Sequence, residues 1–222
     1  MKMRNVTACV FDAYGTLFDV NSAAAKCKEK LGDKWENFAN AWRTTQLEYT
    51  WLRSLMKKHK NFWQITEDSL DHTMETFNIN KNMRSELLNL YKELSPYPEV
   101  KECLDALKSK KIKIAILSNG TPDLLKGLVE SNNIQSYFDN IISVEDVKIY
   151  KPDPKVYEMP IKKYNCKPEN ICFLSSNTWD VSGGGVFGYN AVWVNRFNKI
   201  FDKLGYNPQY IINNLNQLLE LV

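Results

Sequence analysis

Ala8-Cys9-Val10-Phe11-Asp12-Ala13-Tyr14-Gly15-Thr16 places four apolar residues directly before an aspartate and a glycine-containing turn. A short apolar run without clean alternation is the pattern of a strand covered on both faces, as in a parallel sheet. Four further runs of this kind follow, at residues 112–117, 141–144, 171–174 and 191–194. Helical patterns separate them. Val100, Cys103, Leu104 and Leu107 recur at i, i+3, i+4 and i+7, one apolar face just ahead of Ile112. Strands alternating with helices predict an α/β fold, a Rossmann-like parallel sheet with helices on both faces.

Residues from about 20 to 96 read differently. They hold no comparable β-branched run, and the stretch 36–58 is long, aromatic and helical in pattern. This predicts an all-helical cap inserted after the first strand. Ser95-Pro96-Tyr97-Pro98 is the return linker, because a proline disfavours helix at the residue before it. The predicted division is a catalytic core of residues 1–19 and 97–222 with a cap of residues 20–96.

Composition narrows the function classes. With 44% hydrophobic and 25% charged residues in 222, the chain is an ordinary globular protein with room for a sizeable core. A formal net charge of +3 gives no footprint for nucleic acid, and Lys108, Lys110 and Lys111 read as a solvated helix end. The five cysteines are Cys9, Cys27, Cys103, Cys166 and Cys172, an odd number without C-x-x-C spacing. Free thiols in the cytoplasm are the simplest reading. The two histidines, His59 and His72, are too few for a histidine metal site or a Ser-His triad. No run approaches the length of a membrane span, and residues 6–11 are too short for a signal-peptide core.

In open α/β sheets ligands bind beyond the carboxyl ends of the strands, so the residues after each run matter most. After the first comes Asp12-Ala13-Tyr14-Gly15-Thr16, and after the second Ser118-Asn119-Gly120. The third leads to Lys151-Pro152-Asp153-Pro154, and the fourth to Ser175-Ser176-Asn177-Thr178-Trp179-Asp180. Carboxylates, hydroxyls, amides and a lysine thus converge on one edge.

With these four motifs in this order, the chain resembles the haloacid dehalogenase superfamily. Three stretches resemble its L-2-haloacid dehalogenases in particular. They are residues 11–20, Trp42-Arg43 with residues 46–56, and residues 175–180. The resemblance spans nearly the whole chain, from about Val6 to a C-terminal helix. It implies hydrolytic dehalogenation in which the Asp12 carboxylate displaces halide, an ester forms on Asp12, and water releases a 2-hydroxy acid with inverted configuration. A carboxylate suits this role because it is ionised at neutral pH and needs no base to act as a nucleophile.

Superfamily phosphatases usually carry a second aspartate where this chain has Tyr14, to protonate a leaving alkoxide. A halide leaves without a proton. Phosphatases also commonly hold Mg²⁺ with adjacent acids in the late motif, where this chain has Ser175, Ser176 and Asn177 and keeps Asp180 alone. The resemblance therefore implies no cofactor and no metal.

It further implies that Arg43 stabilises the departing halide and that Ser118 and Asn119 bind the substrate carboxylate. Lys151 would set its positive charge against Asp12, and Thr16 would hydrogen-bond the same carboxylate. Tyr157 would support Lys151 or the substrate carboxylate. Ser175, Asn177 and Asp180 would orient and activate water. Tyr14, Leu47, Phe62 and Trp179 would surround the substrate. The implied partners are a small 2-haloacid and halide, in a homodimer.

Gly183-Gly184-Gly185-Val186-Phe187-Gly188 satisfies G-x-G-x-x-G, yet a dinucleotide site needs those glycines right after a strand. Close helix–sheet packing explains them better. Two rival functions remain at this point, a Mg²⁺-dependent phosphatase and a non-catalytic binding protein on the same fold.

Overall fold

A computed structural model describes residues 2–20, 25, 26 and 28–222. Cys27 lies outside the described residues. Six strands form one sheet: β1 (Ala8–Phe11), β2 (Lys113–Ser118), β3 (Asn140–Ser143), β4 (Ile171–Ser175), β5 (Asn190–Val194) and β6 (Tyr210–Ile212). Their order is β3-β2-β1-β4-β5-β6, and every neighbouring pair is parallel. All four residues of β1 are buried, as expected for a central strand covered on both faces.

Helices α1 (Lys28–Leu31), α2 (Trp35–Leu55), α3 (Phe62–Thr76) and α4 (Arg84–Lys92) all fall between β1 and β2. Helices α5 (Val100–Ser109), α6 (Pro122–Ser131), α7 (Pro154–Tyr164) and α8 (Thr178–Phe187) alternate with the later strands. Right-handed crossovers put α5 and α6 on one face of the sheet and α7 and α8 on the other. The apolar stripe Val100, Cys103, Leu104 and Leu107 of α5 is buried. Thr121 and Asp153 cap α6 and α7, each followed by a proline at the first helical position, where no N–H is needed. No described helix is long and apolar enough to cross a membrane.

The helical insertion leaves and rejoins the sheet through two paired segments. Asp19 N donates to Ser95 O and Tyr97 N to Leu17 O, both at 2.9 Å, around an antiparallel Phe18–Pro96 pair. Pro96 sits at the position of this ladder that calls for no donor, which is why a proline is tolerated there.

A second seam closes the insertion over the core. The Glu145 carboxylate meets His59 Nε2 at 2.9 Å and accepts from Phe62 N at 3.2 Å. Tyr150 donates its hydroxyl to Lys60 O at 2.6 Å, its backbone N–H to Ser54 Oγ at 3.2 Å, and stacks on His59. Trp51 of α2 meets Trp179 of α8 edge to face, with centroids 5.5 Å apart.

Some expectations shift. Strand β1 matches its predicted run residue for residue, the next four start or end a residue away from theirs, and the long helix spans Trp35–Leu55. Strand β6 has no counterpart in the sequence reading. It is three residues long, lies at the sheet edge, and leaves Ile211 exposed. The expected C-terminal helix is a 3₁₀ segment, Leu215–Glu220, packed on α5.

The glycine run lies inside α8 rather than in a strand-to-helix turn. A Cβ on Gly184 would stand 2.7 Å from Phe173 Cδ1 of β4, and one on Gly183 would stand 2.8 Å from Pro152 Cβ. Helix α8 approaches the sheet closely because side chains are missing there. Gly184→Ala gains helix propensity but must displace a core ring. It should lower stability by about 1–3 kcal/mol in urea unfolding, as overpacking does. A variant as stable as the parent would contradict this packing account.

Candidate active site

Strand order reverses at β1, because the chain moves to β2 and β3 on one side and returns to β4 on the other. The carboxyl ends of β1 and β4 therefore flank the topological switch point, where open α/β sheets bind ligands. Asp12 follows β1, its backbone N–H donating to Leu174 O of β4 at 2.9 Å. Phe11 stands in register with Ile116 of β2 and Leu174 of β4, so the motifs after these strands emerge at one level.

Three donors hold the Asp12 carboxylate. Lys151 Nζ reaches Oδ1 at 3.1 Å, while Thr16 Oγ1 at 3.1 Å and Asn177 Nδ2 at 2.9 Å reach Oδ2. Lys151 Nζ also donates to Asp180 Oδ2 at 2.9 Å, so one ammonium spans two carboxylates. The Lys151 and Asp180 side chains are fully buried. Burial works against the charge on Lys151, but Asp12 and Asp180 outweigh it and hold the ammonium above its usual value. Burial raises Asp180 above the ordinary carboxylate value, and Lys151 offsets this only in part.

Several groups hold these side chains rather than facing an open volume. Tyr157 donates to Asp180 Oδ1 at 2.7 Å, and Asp180 is in turn the second carboxylate partner of Lys151. Ser175 Oγ accepts from Asn177 N at 3.1 Å and closes the turn into α8. Ser176 ties that turn to the Asp12 loop, donating from N to Thr16 Oγ1 at 2.9 Å and from Oγ to Gly15 O at 2.7 Å. Asn119 Oδ1 accepts from Lys151 N at 3.1 Å, and Ser118 Oγ accepts from Gly120 N at 3.1 Å. Among the described residues, the Ser118 hydroxyl hydrogen and the Asn119 amide N–H groups keep no protein acceptor.

The insertion covers this edge. Phe62 is buried with its ring 5.3 Å from that of Tyr14, and Tyr91 stacks on Tyr14 at 5.7 Å. The Tyr14 hydroxyl is buried and has no hydrogen-bonding partner. It lies over Gly120, where a Cβ would come within 2.9 Å of it. Burial keeps this phenol well above its usual pKa, so it stays a donor. Arg43 donates from Nη1 to Gln46 Oε1 at 2.8 Å. Gln46 is itself buried and donates to Thr66 Oγ1 at 2.7 Å and Tyr91 at 3.0 Å. Leu47 is half-buried on α2, and Trp179 is half-buried against Trp51.

Tyr14, Arg43 and Asn177 line one cavity of about 140 Å³ together with Tyr97, Arg196 and Lys199. Larger clefts, of about 660, 560 and 330 Å³, lie along α3, at the seam beside Trp63 and between β3 and α7. Asp12, Lys151 and Asp180 line none of these four volumes, as their burial requires. Among the described residues, no three His, Cys, Asp or Glu side chains cluster closely enough to hold a metal ion.

Gln46, Tyr91, Trp51, Glu145 and Arg196 carry no role in the sequence reading, yet each borders the site or the seam that closes it. Gln46 had one signal, a polar residue on the apolar side of a long helix. Arg196 had another, its position just after β5.

Lys151→Met would leave two buried carboxylates without their shared cation. Breaking a buried ion pair from one side costs about 3–5 kcal/mol. Asp180, already raised, would rise further. In acid it is protonated whether folded or unfolded. As pH climbs past the unfolded value of about 3.9, the unfolded chain ionises first and the variant loses stability. Melting temperatures from pH 4 to 8 should show the deficit widening with pH. A deficit independent of pH would contradict the assignment.

A model of haloacid dehalogenase-like hydrolases matches residues 6–188. An (S)-2-haloacid dehalogenase of Pseudomonas sp. (strain CBS-3) is 42% identical over 99% of this chain and 98% of its own. Another, from Burkholderia cepacia, is 39% identical over 98% of this chain and 94% of its own. The solved structure of L-2-haloacid dehalogenase from Xanthobacter autotrophicus, with chloropropionic acid covalently bound, superimposes with a TM-score of 0.90 at 31% identity, covering 97% of each chain. The chain belongs to the haloacid dehalogenase-like hydrolases, within their L-2-haloacid dehalogenase branch.

Proposed function

We propose that this protein hydrolyses short L-2-haloalkanoic acids to 2-hydroxy acids with inversion, through an ester on Asp12. The observation that carries the reading is a buried carboxylate held by Lys151, Thr16 and Asn177, with Asp180 across the same ammonium and unspent donors at the border. Those donors are the Tyr14 hydroxyl, the Ser118 hydroxyl, the Asn119 amide and the remaining N–H groups of Arg43. Such a set suits an anionic substrate that also sheds an anion.

In the first step a lone pair of Asp12 attacks the halogen-bearing carbon from the side opposite the halogen. The new C–O bond forms as the carbon–halogen bond breaks, and the bonding pair leaves with the halide. Ser118 and Asn119 bind the substrate carboxylate, and Arg43 receives the halide. Phe62, Tyr14, Leu47 and Trp179 keep bulk water from the reacting carbon.

Esterification removes the negative charge of Asp12. Lys151 then keeps one carboxylate partner, Asp180. Water held by Asn177 and Asp180 attacks the Asp12 carbonyl carbon, and Asp180, its affinity for protons raised by burial, draws off the proton. The acyl–oxygen bond breaks, Asp180 returns its proton to the leaving alkoxide, the regenerated Asp12 acid loses the second water proton to solvent, and the hydroxy acid leaves with inverted configuration. Thr16 and Tyr157 keep Asp12 and Asp180 in place through both steps, and Ser175 holds the turn that carries Asn177.

Residues 20–96 act as the cap over a core of residues 1–19 and 97–222. The reading includes a homodimer in the cytoplasm, with no cofactor. Support comes from the relatives, named as (S)-2-haloacid dehalogenases at up to 42% identity over nearly the full chain.

The test is halide release from L- and D-2-chloropropionate with EDTA throughout. Release from the L form alone, giving the hydroxy acid of opposite configuration, is expected. Asp12→Asn should lower it by several orders of magnitude while circular dichroism stays unchanged. No halide release from either form, with phosphate released from a monoester once Mg²⁺ is added, would move the assignment to a phosphatase.

A further inference from the structure

Arg196 follows β5, well away in sequence from every motif above, yet its guanidinium reaches the nucleophile loop. Nη2 donates to Thr16 O at 2.8 Å. Nη1 pairs with the Glu99 carboxylate, just before α5. The guanidinium carbon lies 3.9 Å from the centre of the Tyr97 ring, on the returning segment of the insertion. The Arg196 and Glu99 side chains are 8% and 9% exposed, so the pair is shielded from solvent screening.

The contact chain to the reacting group is short. Arg196 fixes the Thr16 carbonyl, the Thr16 hydroxyl meets Asp12 Oδ2 at 3.1 Å, and Thr16 is fully buried. Tyr97, under the same guanidinium, donates its N–H to Leu17 O in the paired segments that carry the cap. One planar fork therefore ties the nucleophile loop, the return of the cap and the start of α5 to the end of β5. A lysine could not repeat this, since an ammonium offers a point charge rather than a fork that stacks.

We propose that Arg196 is a positioning residue for dehalogenation, holding Asp12 on line through Thr16, with Glu99 as its buried counter-ion. The inference rests on the dehalogenase reading above. It predicts loss of turnover without comparable loss of substrate binding, because a small misplacement of a nucleophile costs far more in rate than in affinity.

Three variants test it. Arg196→Lys keeps a cation against Glu99. Arg196→Met with Glu99→Leu removes both buried charges together, which spares the fold the penalty of an unpaired one. Thr16→Val removes the hydroxyl through which Arg196 is said to act. Single-turnover halide release should fall about 10–100-fold in Arg196→Lys and in the double variant, with KM within about 3-fold of the parent. In the Thr16→Val background the same changes should cost less than about 2-fold more, since residues acting through one group are not additive.

Parent-like release from Arg196→Lys overturns the proposal, as does a loss that simply adds to that of Thr16→Val. A rise in KM with unchanged maximal rate also overturns it, making Arg196 a substrate-binding group. Absence of halide release from the unaltered protein instead overturns the dehalogenase reading beneath it.

Discussion

One ammonium held between two carboxylates organises this molecule. Lys151 is fully buried, and a lone buried charge is untenable. It is tolerated because Asp12 and Asp180 lie on either side of it, and they are tolerated because it lies between them. The three come from separate strand ends, so the trio forms only when β1, β4 and the segment before α7 have all reached their places. The supporting bonds follow the same logic. Tyr157 satisfies the far oxygen of Asp180, Asn119 fixes the Lys151 backbone, and Thr16 with Asn177 satisfies the second oxygen of Asp12.

Around this charge cluster the fold alternates tight approach with insulation. The glycines of α8 let that helix settle on β4, which brings Asp180 at its first turn down to Lys151. On the opposite side the insertion supplies rings instead of charges, with Phe62 and Tyr91 packed on Tyr14. Arg43, a cation that the insertion brings to this edge, is steered by a buried amide network through Gln46. Strong electrostatics at Asp12 are thus enclosed by an aromatic lid that excludes water, the setting in which fixed donors act most effectively.

Much of this was legible from local patterns. Five of the six strands announce themselves as short apolar runs, and the Asp12, Ser118 and Ser175 motifs each begin immediately beyond one. The helical insertion is visible because β-branched runs stop at about residue 20 and resume past 96. Strand β6 was not legible, since an edge strand of three residues has no periodicity to detect. Arg196 was missed although it obeys the same rule, standing just past the fifth run. Sequence order cannot say which of three buried charges the Tyr157 hydroxyl reaches, and in the fold it meets Asp180. Glu145 gave no signal at all. Its role depends on a loop some eighty residues away, at His59 and Phe62.

Tyr150 deserves its position next to Lys151. Its backbone N–H, its hydroxyl and its ring are all engaged by residues of the insertion, Ser54, Lys60 and His59. The very next residue carries the buried ammonium. Lid and counter-ion are consequently geared together, and displacing one strains the other through a single peptide link. The residue that seats the covering helices and the residue that neutralises the site are thus adjacent links of one chain, so enclosure and charge balance are inherited from a single two-residue segment.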